Sequence, residues 1–338
     1  MIGQEALNNF YRDTQVAVLG ASGFIGRWVA RALCAQGARV HLIVRNKNIA
    51  RKIFAQYRIE GDIIEADLKG AGSIGLFFRE RKPAITFNLA GYGVDRGERD
   101  ETMCYRINAD LVEATCEAIA EVRDPKWQGQ NIVHVGTALE YGSIPGNLSE
   151  DSAPHPTTVY GKSKLAGTGA LKDCCKALGI NGLTARLFTV YGPGEQSGRL
   201  LPALVEAART GKPLPLTAGK QKRDFTYVED VTAGLLRLGI ASSQPGEIIN
   251  LATGRLTSVR HFAETAAGIL GIPKEQLIFG AIPTREEEME HDEIFLERLR
   301  QLIAWVPPTL IEDGIRETLN FEARCAQAAS ATLAISRV

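Results

Sequence analysis

No apolar run in this chain reaches the 18 or so residues that a membrane-spanning helix needs. The opening stretch, MIGQEALNNFYRD, lacks the apolar core of a signal peptide. Both absences point to a cytoplasmic protein with no membrane role. An excess of one charge is missing too: 39 Lys and Arg balance 39 Asp and Glu. A neutral chain offers no broad basic surface, which argues against nucleic acid as a partner. The six cysteines (Cys34, Cys104, Cys116, Cys174, Cys175 and Cys325) show no C-x-x-C spacing and no neighbouring histidine. That argues against a zinc site or a disulfide framework, and no metal is expected. There is no internal repeat.

What the chain does have is alternation. Apolar, β-branched runs at 15–19, 39–44, 62–66, 84–89, 131–135, 182–187 and 247–251 read as strands. Amphipathic stretches between them, notably 25–36, 107–122 and 160–178, read as helices. Strands alternating with helices imply a parallel, doubly wound α/β sheet with both faces covered. After about residue 190 the character changes. An irregular Gly192-Pro193-Gly194 stretch is followed by helical patterns at 201–209, 259–270 and 292–302. This reads as a smaller C-terminal lobe. The last segment, 326–338, is small and polar without a stop signal, and is expected to be poorly ordered.

Val16-Ala17-Val18-Leu19 runs straight into Gly20-Ala21-Ser22-Gly23-Phe24-Ile25-Gly26, a G-x-x-G-x-x-G turn opening a helix. Gly20 makes the tight turn, Gly23 lets the backbone approach a pyrophosphate, and Gly26 allows helix and strand to pack closely. The unpaired N–H groups of the helix start then face the phosphates. This is the phosphate-binding unit of a Rossmann-type dinucleotide fold, with Ser22, Phe24 and Ile25 at the cofactor. An acid that grips the ribose is expected about 20 residues on. The second strand instead ends His41-Leu42-Ile43-Val44-Arg45-Asn46-Lys47. Arg45, assisted by Lys47 or Arg27, suits a 2′-phosphate, so NADP(H) is favoured and NAD(H) stays possible. Alternatively, Arg45 is a solvated charge. Asp67, ending the third strand, is placed to accept from an adenine amino group, or is a turn residue.

Of the eight tyrosines, only Tyr160 has a lysine four residues later, Lys164, one helical turn away. A fixed ammonium beside a phenol is expected to lower its pKa towards neutrality.

These features occur together and in order. They include Asp67-Leu68, Asn88-Leu89-Ala90-Gly91, Asn108, and Gly136-Thr137-Ala138-Leu139-Glu140-Tyr141-Gly142. The Tyr160/Lys164 pair, the 186–194 stretch and Arg223-Asp224-Phe225-Thr226-Tyr227-Val228-Glu229-Asp230-Val231 follow. Across roughly 14–320 the chain resembles the extended short-chain dehydrogenases/reductases of the nucleotide-sugar epimerase/dehydratase group. The resemblance implies a dinucleotide-binding domain over 14–190, with a returning segment near 224–255. It implies a substrate lobe over 191–223 and 256–320. Thr137 takes the place of the family's catalytic Ser/Thr and holds the substrate oxygen near Tyr160. Tyr160 exchanges the proton, and Lys164 lowers its pKa and holds the nicotinamide ribose. Leu68, Leu89, Ala90 and Gly91 join the cofactor set. Tyr141, Thr189 and Leu200 line the substrate side, and Arg223 contacts the pyrophosphate. Asn108 is read as structural. The helices 107–122 and 160–178 imply a homodimer.

Dehydratases of the group carry an acidic pair after the catalytic Thr. Ala138 and Leu139 stand there instead, which disfavours elimination. A 4-ketoreductase of a nucleotide-linked deoxysugar fits the Arg45 argument best. A 4-epimerase with retained NAD(P) stays open, as do an aromatic-alcohol reductase and a non-catalytic NADP-binding protein at lower weight. Arg96 and Arg99 are further pocket candidates or surface charges. The acidic run from Glu286 to Glu290 stands near where many members place a second phosphate-binding arginine.

Overall fold

The computed structural model describes residues 4–335, except 69–70, 95–96, 99, 143, 145 and 285–290. The sequence expectations for Arg96, Arg99 and the acidic run therefore lie outside the described residues. The first half of the chain alternates regularly. It contains α1 (Gln4–Tyr11), β1 (Gln15–Leu19), α2 (Phe24–Ala35), β2 (Arg39–Val44), α3 (Lys47–Tyr57), β3 (Asp62–Glu65) and α4 (Ala71–Arg81). Then come β4 (Ile85–Asn88), α5 (Glu101–Tyr105), α6 (Leu111–Val122), β5 (Ile132–Thr137), α7 (Val159–Leu178) and β6 (Gly182–Leu187). The second half holds β7 (Thr189–Tyr191), α8 (Leu200–Thr210), β8 (Leu214–Leu216), β9 (Lys222–Tyr227), α9 (Val228–Ile240) and β10 (Glu247–Leu251). It ends with β11 (Leu256–Ser258), α10 (Val259–Leu270), β12 (Leu277–Phe279), α11 (Glu297–Ile303) and α12 (Ile311–Ile335).

The central sheet has seven parallel strands in the order β3-β2-β1-β4-β5-β6-β10. Strand order reverses between β1 and β4, which makes that crevice the switch point where dinucleotides bind. Alternation of side chains builds two cores. Val16, Val18, Leu42 and Val44 face one helical layer, while Ala17, Leu19 and Ile43 face the other. Strands β4 and β6 are buried along their whole length, as strands covered on both faces must be.

A three-stranded sheet (β11-β9-β7) and a two-stranded sheet (β12-β8) build the lobe with α8 and α10. Phe225 stacks on Phe262 at 4.2 Å between ring centroids, and Tyr191 meets Phe262 edge-on at 5.2 Å. Helix α12 ties the lobe back to the main domain through Phe321, whose ring lies 5.0 Å from both Trp28 and Tyr57.

Three expectations change. The helix expected over 107–122 begins at Glu101 and contains a π-helical turn at Arg106–Asp110. The helix expected over 292–302 is shorter, because the N–H groups of Asp292 and Phe295 bond to the carbonyls of Gly146 and Leu148. The tail is helical as far as Ile335.

Candidate active site

The glycine turn is built by steric necessity. Gly20 has φ +78°, and a Cβ there would lie 2.9 Å from both Ala90 N and Leu89 O. A Cβ on Gly26 would collide with Gly20 O, so helix α2 rests directly on the strand end. The Gly20 and Ala21 N–H groups donate to Ile43 O at 3.2 and 3.3 Å, which locks the turn to β2. Gly23 is the N-cap of α2 and supplies no side-chain acceptor to the helix N–H groups. The result is an uncapped helix start over a cradle that any side chain would fill, a fit for a dinucleotide phosphate. Arg27 belongs to this turn. Its Nε and Nη2 donate to the carbonyls of Gly23 and Ser22, each at 3.0 Å, and its guanidinium lies over the Tyr57 ring.

The other expected cofactor residues stand along the same edge of the sheet. Arg45 is exposed just beyond β2, and Asp67 and Leu68 follow β3, the first exposed and the second buried. Leu89, Ala90 and Gly91 follow β4, with Leu89 N–H bonded to Leu19 O at 3.0 Å. The sequence reading missed Glu65, whose carboxylate accepts the Lys47 N–H at 2.9 Å beside Arg45.

Thr137 ends β5 and opens a short 3-10 turn as its capping residue. Its Oγ1 accepts from Leu139 N at 3.3 Å, and its own N–H donates to Glu140 Oε1 at 2.8 Å. Tyr160 sits in the first turn of α7, which Thr158 caps. Thr137 is close enough to Tyr160 for its side chain to act on the phenol. Lys164 lies one turn further along α7 and is only 3% exposed.

The electrostatics differ from the simple pair. Burial pushes the Tyr160 phenol well above its ordinary value, and the Glu140 charge adds to this. Arg199 and the nearby Thr137 side chain oppose that rise. Lys164 stands one turn away, and burial pushes it down to about 8 with Glu140 opposing, while its charge also bears on buried His134. The physical reason is desolvation: burial penalises phenolate and ammonium alike.

A buried network supports this constellation. Glu140, fully buried, accepts from Thr168 Oγ1 at 3.0 Å and from Arg186 Nε at 2.9 Å. Arg186 lies 4.5 Å over the Tyr141 ring, and the Tyr141 hydroxyl donates to Asn250 Oδ1 at 2.7 Å. Tyr141 is fully buried in this stack. The Thr-x-x-Glu spacing of a capping box was the signal for Glu140. Asn108 acts as a clamp: Oδ1 accepts from Tyr92 N at 3.0 Å, while Nδ2 donates to Tyr92 O at 2.8 Å and Ser163 Oγ at 2.9 Å. The π turn that carries it brings Asn108 O onto Gly167 of α7, where no side chain fits.

Thr189 begins β7 and pairs with Phe225, Leu200 begins α8, and Arg223 lies on β9; all three are partly exposed. The Asp224 carboxylate, on the opposite face of β9, is occupied by Thr226, Thr253 and the Arg255 N–H. Three charged or titratable residues here escaped the sequence reading. Arg199 acts on both Tyr160 and Glu195. Glu195 has a buried, unpartnered Oε2 and is pushed by burial to about 8. His291 lies within reach of the Arg223 charge. Their neighbours in sequence carry no pattern that marks them.

Residues 16–252 match the model of the NAD dependent epimerase/dehydratase family. A dTDP-6-deoxy-L-talose 4-dehydrogenase (NAD(P)(+)) from Kitasatospora kifunensis is 32% identical over 317 residues, covering 90% of this chain and 94% of that protein. A UDP-glucose 4-epimerase from Mycolicibacterium smegmatis is 27% identical over 320 residues, covering 90% and 97%. The crystal structure of a Bacillus cereus UDP-glucuronic acid 4-epimerase, in complex with UDP-glucuronic acid and NAD, superposes with a TM-score of 0.79 at 22% identity. It covers 91% of this chain and 99% of that one. With a family model matched over more than half its length and a relative above 30% identity along nearly all of it, the chain belongs to the NAD-dependent epimerase/dehydratase family.

Proposed function

We propose that this protein is an NADP(H)-dependent reductase of a 4-keto group on a nucleotide-linked deoxysugar. The observation that carries the reading is the Thr137–Tyr160 pair. It is a part-buried phenol that keeps its proton, acted on by a strand-end hydroxyl and placed across the sheet edge from the glycine turn. Gly20, Ser22, Gly23, Phe24, Ile25 and Gly26 would hold the cofactor's pyrophosphate, Arg45 a 2′-phosphate, and Lys164 the nicotinamide ribose. Asp67 and Leu68 would border the adenine, and Leu89, Ala90 and Gly91 the other side of the crevice. A bound nicotinamide supplies the hydride.

The chain's own residues supply position and proton. Thr137 orients the substrate oxygen at C4, and Tyr160 gives that oxygen its hydroxyl proton as negative charge develops there. The phenolate left behind is met by Arg199 and Thr137, with Lys164 one turn below. Ala138 and Leu139 offer no acid or base for elimination. The 4-dehydrogenase relative acts, by its name, at the same carbon and with either cofactor, which supports hydride exchange at C4. Retained-cofactor 4-epimerisation is the second reading, favoured by the epimerase relative. Thr189, Leu200 and Arg223 are assigned to the substrate's nucleotide-sugar side.

A homodimer through α6 and α7 belongs to this proposal, and sedimentation at micromolar concentration tests it; a monomer contradicts it. The catalytic part is tested by turnover of a nucleotide-linked 4-ketosugar with NADPH. Full activity in Tyr160→Phe would refute it.

A further inference from the structure

Glu140 and Arg186 form a buried ion pair that packing alone does not call for. Glu140 is fully buried, Arg186 is 1% exposed, and 2.9 Å separates Arg186 Nε from Glu140 Oε2. Taking two charges out of water is costly, and a well-packed apolar pair of similar volume serves a fold as well or better. The cost is not fully offset here, because Arg186 Nη1 is buried without a partner. The chain nevertheless makes room for the carboxylate. A Cβ on Gly136 would lie 2.5 Å from Glu140 Oε1 and 3.3 Å from Arg186 Cγ. What the carboxylate reaches is the proton-transfer end of the site. Oε1 accepts the Thr137 N–H at 2.8 Å, and Oε2 accepts from Thr168 Oγ1 at 3.0 Å. Thr168 lies on α7, one turn beyond Lys164 and two beyond Tyr160. The 3-10 turn that carries Glu140 also meets the first turn of α7. A Cβ on Gly161, the residue after Tyr160, would lie 2.4 Å from Leu139 O. One side chain thus joins the strand end that presents Thr137 to the helix that presents Tyr160 and Lys164.

We infer that Glu140 is a positioning residue for proton transfer: its carboxylate fixes Thr137 against α7, and its negative charge keeps Tyr160 and Lys164 in their protonated forms. This rests on the reductase reading above and adds to it a residue and a pH range. The sign follows from the charge. A buried anion favours an ammonium and disfavours a phenolate, so it raises the proton affinity of both. On the phenol, burial acts first and Glu140 second in the same direction; Arg199 and Thr137 oppose them, and Cys104 adds a smaller rise. On Lys164, burial pulls down and Glu140 pulls up. Buried His134 also faces Lys164, and burial and the lysine charge keep its ring neutral. Without the Glu140 charge, both Tyr160 and Lys164 give up their protons at lower pH.

The test pairs the pH profile of kcat/KM for the reduction with a titration that needs no substrate. NMR of the lysine side-chain nitrogens in the full chain follows Lys164, assigned by the signal lost in Lys164→Met. In the wild type Lys164 titrates at about 8. In Glu140→Gln that titration and the alkaline limb of kcat/KM both move down by about one pH unit or more. Glu140→Asp keeps the charge on a shorter side chain; it loses rate, because Thr137 is no longer held, but the Lys164 titration stays in place. Circular dichroism confirms that each variant is folded. Where Glu140→Gln does not fold with Arg186 unpaired, Glu140→Gln/Arg186→Met removes both buried charges and gives the same shift. A folded variant whose rate falls equally at every pH, with the Lys164 titration unmoved, overturns the inference and leaves the reductase reading standing. A wild type that consumes no NADPH overturns the reductase reading, and the lysine titration still decides whether Glu140 holds the proton.

Discussion

A phenol held above its ordinary value keeps its proton at neutral pH, which under the proposed reading suits Tyr160 to give a proton rather than to take one. Tyr160→Phe removes that proton but little else. Its kcat/KM falls by roughly 10²–10⁴-fold, while cofactor affinity, read by fluorescence titration, stays within a factor of two or so. Lys164 sets a second limit. Its folded-state value of about 8 lies below the ordinary 10.5, so the buried ammonium loses its proton as pH rises through about 8. The unfolded chain holds that proton up to 10.5, so between the two values this group's contribution to stability increases with pH. Activity moves the other way, because the site loses its cation: kcat/KM of the free enzyme declines above about pH 8. Glu195 also titrates at about 8. The Glu195→Gln variant separates the two. A pH–rate profile that keeps its alkaline limb assigns the limb to Lys164, and one that loses it assigns the limb to Glu195.

At the scale of elements, the site depends on how β5, α7 and β6 are joined. Glu140 follows β5, Arg186 lies in β6 and Thr168 in α7, and all three meet in the buried network. Glu140→Ala leaves Arg186 charged, buried and unpaired, and destabilises the fold by about 3–5 kcal/mol. Urea denaturation measures this, and a loss under 1 kcal/mol or so contradicts the account. Strands β1, β2, β6 and β10 were legible residue for residue, because apolar β-branched runs buried on both faces have few other readings. The turn after β1 was legible because its glycines answer to steric need. The π turn was not: it arises where Asn108 must reach Tyr92 and Ser163 while α7 crosses at Gly167, a tertiary demand. Helix α12 was passed over for want of a stop signal, although its alanines favour helix strongly. The burial of Tyr141 is not legible in the sequence, because it depends on Arg186 and Asn250, both distant along the chain. The pairing of Tyr160 with Lys164 was visible in their spacing, but the charges that act on the phenol, Glu140 and Arg199, come from other elements.

For the molecule as a whole, one edge of a parallel sheet gathers the glycine turn, Arg45 and Thr137, with Tyr160 in the first turn of α7. No helix among the described residues is long and apolar enough to cross a membrane. Cofactor choice belongs to this scale, since it joins the ends of β1, β2 and β3. Arg45→Asp is expected to shift the ratio of NADP(H) to NAD(H) affinity by about tenfold or more towards NAD(H), by removing one charged partner and adding a ribose acceptor. Unchanged selectivity in a folded variant removes Arg45 from the cofactor site. The most direct test of the central claim is net cofactor consumption. The protein is supplied with NADPH and a nucleotide-linked 4-keto-6-deoxysugar, and both cofactor absorbance and product are followed. The account predicts one equivalent of NADPH oxidised per substrate, a new hydroxyl at C4, and loss of both in Tyr160→Phe. Interconversion of C4 epimers with no net consumption of NADPH would contradict it.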